Sequence, residues 1–391
     1  MDYEIVKLKE IADFNKESIG KNSNYDFINY LDTANITNGA IDTIVKINIE
    51  EAPSRAKRIV KKDDIVYSTV RPNLCHYGII DSPVENMIVS TGFTVISCKD
   101  SVNPYYIYNY LTQKDITLRL HSIAENSTSA YPSIKPSDLE DVEIKLPKLE
   151  IQNKIAKILT DIDKKIKVNN EINNNLYKLA INYLNEKVEK NEISVSKFAK
   201  IQGGYAFKSK DLIDTYTKNR IIKIKNLRSE INADVINSQF VNNEVVDKLD
   251  NKFKLNKGNV AIAMTGAELG KTGFIYGNDN YYLNQRVGVI RGNSKASELY
   301  LNILFLSDEF QTLLNSKGYG SAQPNVSTSD IENILINDIT EDNLKEFYEI
   351  MKPIYEKIIS NSEETLNLEQ LRDTLLPKLM NGEIDLDNIE I

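Results

Sequence analysis

Ser129-Ala-Tyr-Pro-Ser-Ile-Lys-Pro-Ser-Asp-Leu-Glu140 returns later in the chain as Ser321-Ala-Gln-Pro-Asn-Val-Ser-Thr-Ser-Asp-Ile-Glu332. An internal repeat decides the fold before any other signal does. Two weaker matches extend it: Val6-Lys-Leu-Lys-Glu-Ile-Ala12 is answered by Ser194-Val-Ser-Lys-Phe-Ala199, and Arg58-Ile-Val-Lys-Lys-Asp-Asp-Ile-Val66 by Phe253-Lys-Leu-Asn-Lys-Gly-Asn-Val260. The offset drifts from about 187 to about 195 residues, so the copies differ by loop insertions while the order of elements is kept.

Each copy has two parts. The first holds short β-rich runs such as Ile65–Val70 and Val260–Met264 between Gly, Asn and Asp turns, which reads as an α+β domain. The second is a long heptad-patterned helix. Ile151, Ile158, Ile172 and Leu179 fall at one position and Ile155, Ile162, Leu176 and Tyr183 at the other, with Lys165 and Asn169 as polar breaks. In the second copy Leu344, Met351, Ile358 and Leu379 alternate with Phe347, Ile354, Leu368 and Leu375, broken by Asn361, Thr365 and Arg372. A helix of about 38 residues is roughly 55 Å long and needs a second helix to cover its stripe. The other copy's helix is the natural partner, its polar breaks meeting in the middle and fixing register, while Pro353 is expected to kink or restart it. The expected organisation is a pseudo-twofold repeat: an α+β domain over 1–147, a helical spacer over 148–190, a second α+β domain over 191–338 and a second, antiparallel spacer over 339–391.

The 391 residues are 41% hydrophobic and 27% charged, which excludes disordered and collagen-like classes. The longest nearly apolar stretch, Leu299–Leu306, falls far short of the roughly 18 to 20 residues of a membrane span, and Met1-Asp2-Tyr3-Glu4 has no leader character, so a cytoplasmic protein is expected. Cys75, Cys98, His76 and His121 give neither a disulfide framework nor zinc-ligand spacing. Residues 339–391 carry 5 basic and 13 acidic side chains, a net −8 that equals the charge of the whole chain. What precedes them is neutral, so a DNA-facing surface is allowed, but phosphate contacts need help from a partner.

Three segments imitate catalytic motifs. Thr265-Gly-Ala-Glu-Leu-Gly-Lys-Thr272 has three residues between its glycines where a phosphate-binding loop needs four. Asn103-Pro-Tyr-Tyr106 lacks one proline of the adenine-methyltransferase motif and reads better as an N-cap opening a helix from Tyr105 to Leu120. Asp138 with Glu143 and Lys145 echoes a nuclease cluster, but the lysine is not repeated in the second copy. Adjacent Cys75 and His76 point apart and make a poor nucleophile pair. No catalytic, cofactor or metal residue is assigned.

The loops are rich in the side chains that contact base edges and phosphates. In the first domain the DNA-binding candidates are Ser68, Thr69, Arg71, Asn73, Ser90, Thr91, Asn126, Ser127 and Tyr131. In the second they are Lys208, Lys223, Lys225, Asn226, Thr265, Lys271, Asn284, Gln285, Arg286, Lys317, Tyr319 and Gln323. Arg71 and Arg286 stand out, each just beyond a strand-like run where arginine has no packing purpose. Helix pairing is assigned to Ile155, Ile158, Ile162, Ile172, Leu176, Leu179, Met351, Ile354, Ile358, Leu368 and Leu375.

The chain resembles the specificity subunits of Type I restriction-modification systems. The resemblance spans essentially its whole length and is carried by Lys317-Gly-Tyr-Gly-Ser-Ala-Gln-Pro-Asn-Val326, Leu146-Pro-Lys-Leu-Glu-Ile-Gln152, Gly203-Gly-Tyr-Ala-Phe-Lys208 and Leu371-Arg-Asp-Thr-Leu-Leu-Pro-Lys-Leu-Met-Asn-Gly-Glu-Ile384. Lys148 and Ile151 depart from the family's usual proline and glutamate. The resemblance implies a non-enzymatic subunit whose two heads read a split double-stranded DNA site and whose helices hold two methyltransferase subunits. S-adenosylmethionine is then expected on those partners, with ATP and Mg2+ on restriction subunits, and no cofactor in this chain. The rival expectation is a duplicated scaffold that joins two partners without reading DNA; a solo methyltransferase or nuclease comes third.

Overall fold

The computed structural model describes residues 2–20, 25–127, 131–227, 231–317, 325–384 and 386. The chain forms two units: Met1–Lys164 together with Gln370–Ile391, and Lys165–Glu369.

In the first unit Tyr3–Lys7 pairs antiparallel with Glu143–Pro147, so the first strand of the copy closes on its last. Between them lie two four-stranded sheets. One runs in the order Val45–Asn48, Phe27–Leu31, Met87–Ser90, Ala56–Ile59, with its central pair parallel. The other is antiparallel throughout: Ala12–Phe14, Phe93–Cys98, Ile65–Ser68, Tyr77–Ile79. Ile65–Ser68 and Met87–Ser90 are buried at every residue, which is why their sequences run apolar rather than alternate. The expected helix from Tyr105 to Leu120 is two helices, Pro104–Leu111 and Lys114–Glu125. Asn103 caps the first, its side chain accepting from the amides of Tyr105 and Tyr106 at 2.9 and 3.1 Å. Gln113 interrupts the run, its side-chain amide donating to the carbonyl of Tyr110 at 3.1 Å.

The second unit repeats this plan. Glu192–Ser194 pairs with Leu335–Asn337. The order Ala199–Gly203, Val287–Gly292, Val260–Ala263, Thr272–Phe274 copies the antiparallel sheet. The other sheet gains one strand, Leu212–Ile213, and keeps the parallel pair at its centre, Asn219–Ile222 beside Asn280–Leu283. Its helices, Lys295–Phe305 and Asp308–Lys317, are interrupted at the corresponding place, where the Ser307 hydroxyl accepts from the Phe310 amide.

The long helices are Leu149–Lys187, of 39 residues, and Glu341–Met380, of 40. Within each unit their segments run antiparallel. In the first unit Ile151, Ile155 and Leu159 share a core with Leu379 and Met380, and the Arg372 guanidinium donates to Asp163 at 3.0 Å. In the second, Tyr183 stacks on Phe347 with ring centroids 6.1 Å apart. The polar breaks bond other polar residues of the facing helix rather than one another: Asn361 donates to the Asn173 side-chain oxygen at 2.9 Å, Asn173 donates to Ser362 at 3.0 Å and to the carbonyl of Ile358 at 3.1 Å, and Asn169 donates to Glu364 at 2.9 Å.

Of the assigned pairing residues, Ile155, Met351 and Ile358 are buried, and Ile158, Ile162, Leu176, Ile354, Leu368 and Leu375 are half-buried. Ile172 and Leu179 are a correction. They are 39% and 51% exposed, while Asn173 and Ala180, one residue on, are 4% and 2% exposed. One stripe of the first helix is therefore displaced by a residue, since a bonded asparagine and a small alanine occupy the seam that two larger apolar side chains advertise. The restart expected at Pro353 is also a correction. Glu341–Met380 passes through it as one helix, with Pro353 exposed where water can satisfy the carbonyl that loses its amide partner.

Candidate nucleic-acid interface

In the first unit the strand Ile65–Ser68 leads into a loop that returns through Tyr77–Ile79. Its frame is backbone hydrogen bonding: Thr69 N–H donates to Gly92, Ile134 N–H to Thr69, Arg71 N–H to Pro132 and Leu74 N–H to Arg71, all at 2.9 Å. Val70 and Ser133 form a bridge, so three chain segments converge. Arg71 and Cys75 hold left-handed conformations, φ +47° and +56°. For a residue with a Cβ this costs roughly 1–2 kcal/mol. The Arg71 guanidinium lies over the Tyr131 ring, 5.2 Å from its centroid, and Arg71, Asn73 and Thr91 are exposed.

The second unit builds the same frame from different side chains. Met264 N–H donates to Arg286 at 3.1 Å, Val326 N–H to Met264 at 3.0 Å and Leu269 N–H to Gly266 at 3.1 Å, and Thr265 bridges to Asn325. These bonds match Thr69 with Met264, Arg71 with Gly266, Leu74 with Leu269, Gly92 with Arg286 and Ile134 with Val326. The left-handed positions recur at Gly266 and Gly270, φ +80° and +83°. Gly204 lies so close to the Asn284 backbone that a Cβ there would fall 2.0 Å from its carbonyl oxygen, which explains the glycine directly before Tyr205. Gln285 and Arg286 are exposed.

Several sequence candidates have structural employment. Ser68 and Ser90 are buried, accepting from the amides of Val70 and Gly92. Asn226 is buried and ties Lys223 N–H to the carbonyl of Asp234. The Lys223 ammonium donates to Gln239 at 2.6 Å, and burial holds its pKa below the usual lysine value. Thr265 is buried, Asn284 is half-buried, and Lys271 pairs with Glu268. Thr69 donates to Gly92 at 3.0 Å, Asn126 to the Ser122 carbonyl at 2.9 Å, and Ser127 accepts from Ser133 at 3.3 Å. Turn-forming and base-reading residues are the same types, so composition alone could not separate them. Lys208, Lys225 and Lys317 are exposed; Tyr319 and Gln323, with most of the motif around them, lie outside the described residues. Beside these candidates the structure also exposes apolar side chains that were not assigned to the interface: Val70 and Leu74, 39% and 44% exposed next to Arg71, and Tyr205, 37% exposed next to Asn284.

The catalytic look-alikes resolve into caps and turns. Asp138 accepts from the Lys135 amide at 2.6 Å and Asp330 from the Ser327 amide at 2.9 Å, each closing a short helix. Hydrogen bonds from the Ser327 hydroxyl and amide hold the Asp330 carboxyl below the usual range. His76 Nδ1 bonds the Ile36 carbonyl at 2.7 Å and the Cys75 thiol donates to the carbonyl of Asn73, so the two side chains serve different partners. Among the described residues no cluster of His, Cys, Asp and Glu is suited to a metal ion, and no helix is long and apolar enough to cross a membrane.

The family model described as Type I restriction modification DNA specificity domain matches residues 1–178 and again 188–370. The chain is 23% identical over 435 residues to the HindI specificity subunit of Haemophilus influenzae, covering 92% of this chain and 95% of the relative. It is 26% identical over 359 residues to the MjaIX specificity subunit of Methanocaldococcus jannaschii, covering 85% and 80%. Its fold matches the crystal structure of the Type I restriction-modification S subunit from M. genitalium with a TM-score of 0.57 at 15% identity, over 97% of this chain and 96% of that one. Both copies of the repeat fall within the family's own domain, and the chain belongs to the Type I restriction-modification specificity subunits.

Proposed function

We propose that this chain reads a split DNA target with its two heads and, itself non-catalytic, delivers that target to methyltransferase subunits in the cytoplasm. The observation that carries the reading is the duplicated loop frame. Two double-sheet domains present the same three-segment junction, dressed with different exposed side chains, as two readers of different short sequences require. Phosphate contact then comes largely from the partners, because this chain has no basic excess. S-adenosylmethionine, and ATP with Mg2+ where restriction subunits join, act on those partners.

The testing experiment maps adenine methylation across the source genome with the gene intact, deleted, and with residues 1–147 exchanged for another family member's. Deletion is expected to abolish one split motif, and the exchange to change one half of it. Methylation unaltered by deletion would instead support the scaffold reading.

Val168, Ile172 and Leu179 form an exposed apolar stripe on one face of Leu149–Lys187, 45%, 39% and 51% exposed. In this reading the stripe seats a methyltransferase subunit. Ile172→Glu with Leu179→Glu is expected to leave the melting temperature near that of the parent and to weaken methyltransferase binding by roughly 10- to 100-fold. Full retention of the partner on a size-exclusion column at low micromolar concentration would place its seat elsewhere.

A further inference from the structure

We infer that each head reads its half-site through one guanidinium, delivered to an equivalent place from exchanged loops: Arg71 from the hairpin loop of the first head, Arg286 from the neighbouring loop of the second. This rests on the DNA-reading function proposed above and names the groups and the base that it uses.

The exchange is visible in the backbone frame. The carbonyls of Arg71 and Gly266 do the same work, each accepting from a leucine three residues on, and both residues are left-handed. The carbonyls of Gly92 and Arg286 also do the same work, each accepting from the residue that opens the hairpin loop. Where the first head has arginine then glycine, the second has glycine then arginine. Exposure follows the arginine. In the first head Val70 and Leu74 stand out with Arg71, whereas in the second the corresponding Thr265 and Leu269 are 5% and 4% exposed. Neither guanidinium forms a hydrogen bond or ion pair among the described residues; Arg71 rests only on the Tyr131 ring, which orients it without using its donors.

A free planar fork on an exposed turn matches the O6 and N7 edge of guanine, the commonest bidentate base contact of arginine. Each half-site therefore contains one guanine read in this way. A phosphate contact would use the same charge but would show no base preference.

The test uses the full chain assembled with its methyltransferase subunits on a library of target sites. Arg71→Ala is expected to relax the preference for guanine at a single position of one half-site by roughly 10- to 100-fold, and Arg286→Ala to do so in the other half-site. Arg71→Gly serves as a second variant that removes the left-handed strain with the side chain, so loss of folding cannot account for its phenotype. Moving the arginine within the second head, Arg286→Gly with Gly266→Arg, is expected to restore the guanine preference. The Cβ added at Gly266 meets nothing within 4 Å, and its left-handed backbone, φ +80°, costs an arginine roughly 1–2 kcal/mol, a strain of the kind that Arg71 bears at φ +47°. A uniform loss of binding on all sequences, with the salt slope reduced by about one, would make these residues phosphate contacts and overturn the assignment. So would variants that keep the parent motif. A parent complex with no split motif would overturn the DNA-reading function as well, which separates the two failures.

Discussion

Gln152→Leu is expected to cost about 2 to 5 kcal/mol of stability, read as a lower urea midpoint with an unchanged slope. Gln152 is 1% exposed and spends both ends of its amide on main chain: its oxygen accepts from Asn103 N–H at 2.9 Å and its nitrogen donates to the Pro147 carbonyl at 2.8 Å. Leucine fills a similar volume and leaves the buried Pro147 carbonyl and the half-buried Asn103 amide without these partners, at up to about 1–3 kcal/mol each. The bonds tie the first turn of the long helix to the residue that caps Pro104–Leu111, so the damage falls on the junction between head and spacer. Gln152→Glu keeps the acceptor, loses the donor and buries a charge, and is also expected to destabilise. A leucine variant within 0.5 kcal/mol of the parent would show that this junction is held by apolar packing alone.

Asn173→Leu is expected to cost about 1 to 3 kcal/mol, and Asn173→Leu with Asn361→Leu together less than the two single changes added. Either change alone strands the other side chain in a buried seam, while the double change removes both and leaves an apolar contact. What the double variant gives up is specificity of register, because a polar pair tolerates only one alignment where leucines tolerate several. A coupling energy indistinguishable from zero in a double-mutant cycle would mean that the two amides do not act as a pair.

These two sites mark where the sequence could and could not be read. The stripe through Ile155, Ile162 and Leu176, and both stripes of the second helix, follow from apolar periodicity, because burial there is by large aliphatic side chains. The other stripe of the first helix is carried by Asn173 and Ala180, which periodicity scores as gaps, so Ile172 and Leu179 drew the seam one residue away. The repeat was legible because its cap, Ser-Asp-hydrophobic-Glu, needs particular residue types in both copies. The match of Arg71 with Gly266 was not, because the loop's frame is main-chain hydrogen bonding, indifferent to side chains. Only the leucines at 74 and 269 and the turn glycines at 266 and 270 hint at it.

The first unit is assembled from residues on either side of the second: its core joins Ile151, Ile155 and Leu159 to Leu379, Met380 and Leu386. On the ribosome the intervening Lys165–Glu369, about 200 residues, emerges before those closing side chains do. At roughly 5 to 20 residues per second that is a delay of about 10 to 40 s. The second unit is contiguous and is free to fold first, while the apolar face of the first waits uncovered for its last strip of chain. Nascent molecules are therefore most in need of chaperone cover during that interval, and a ribosome stalled within 165–369 would release a chain whose earliest domain still lacks its closing strip.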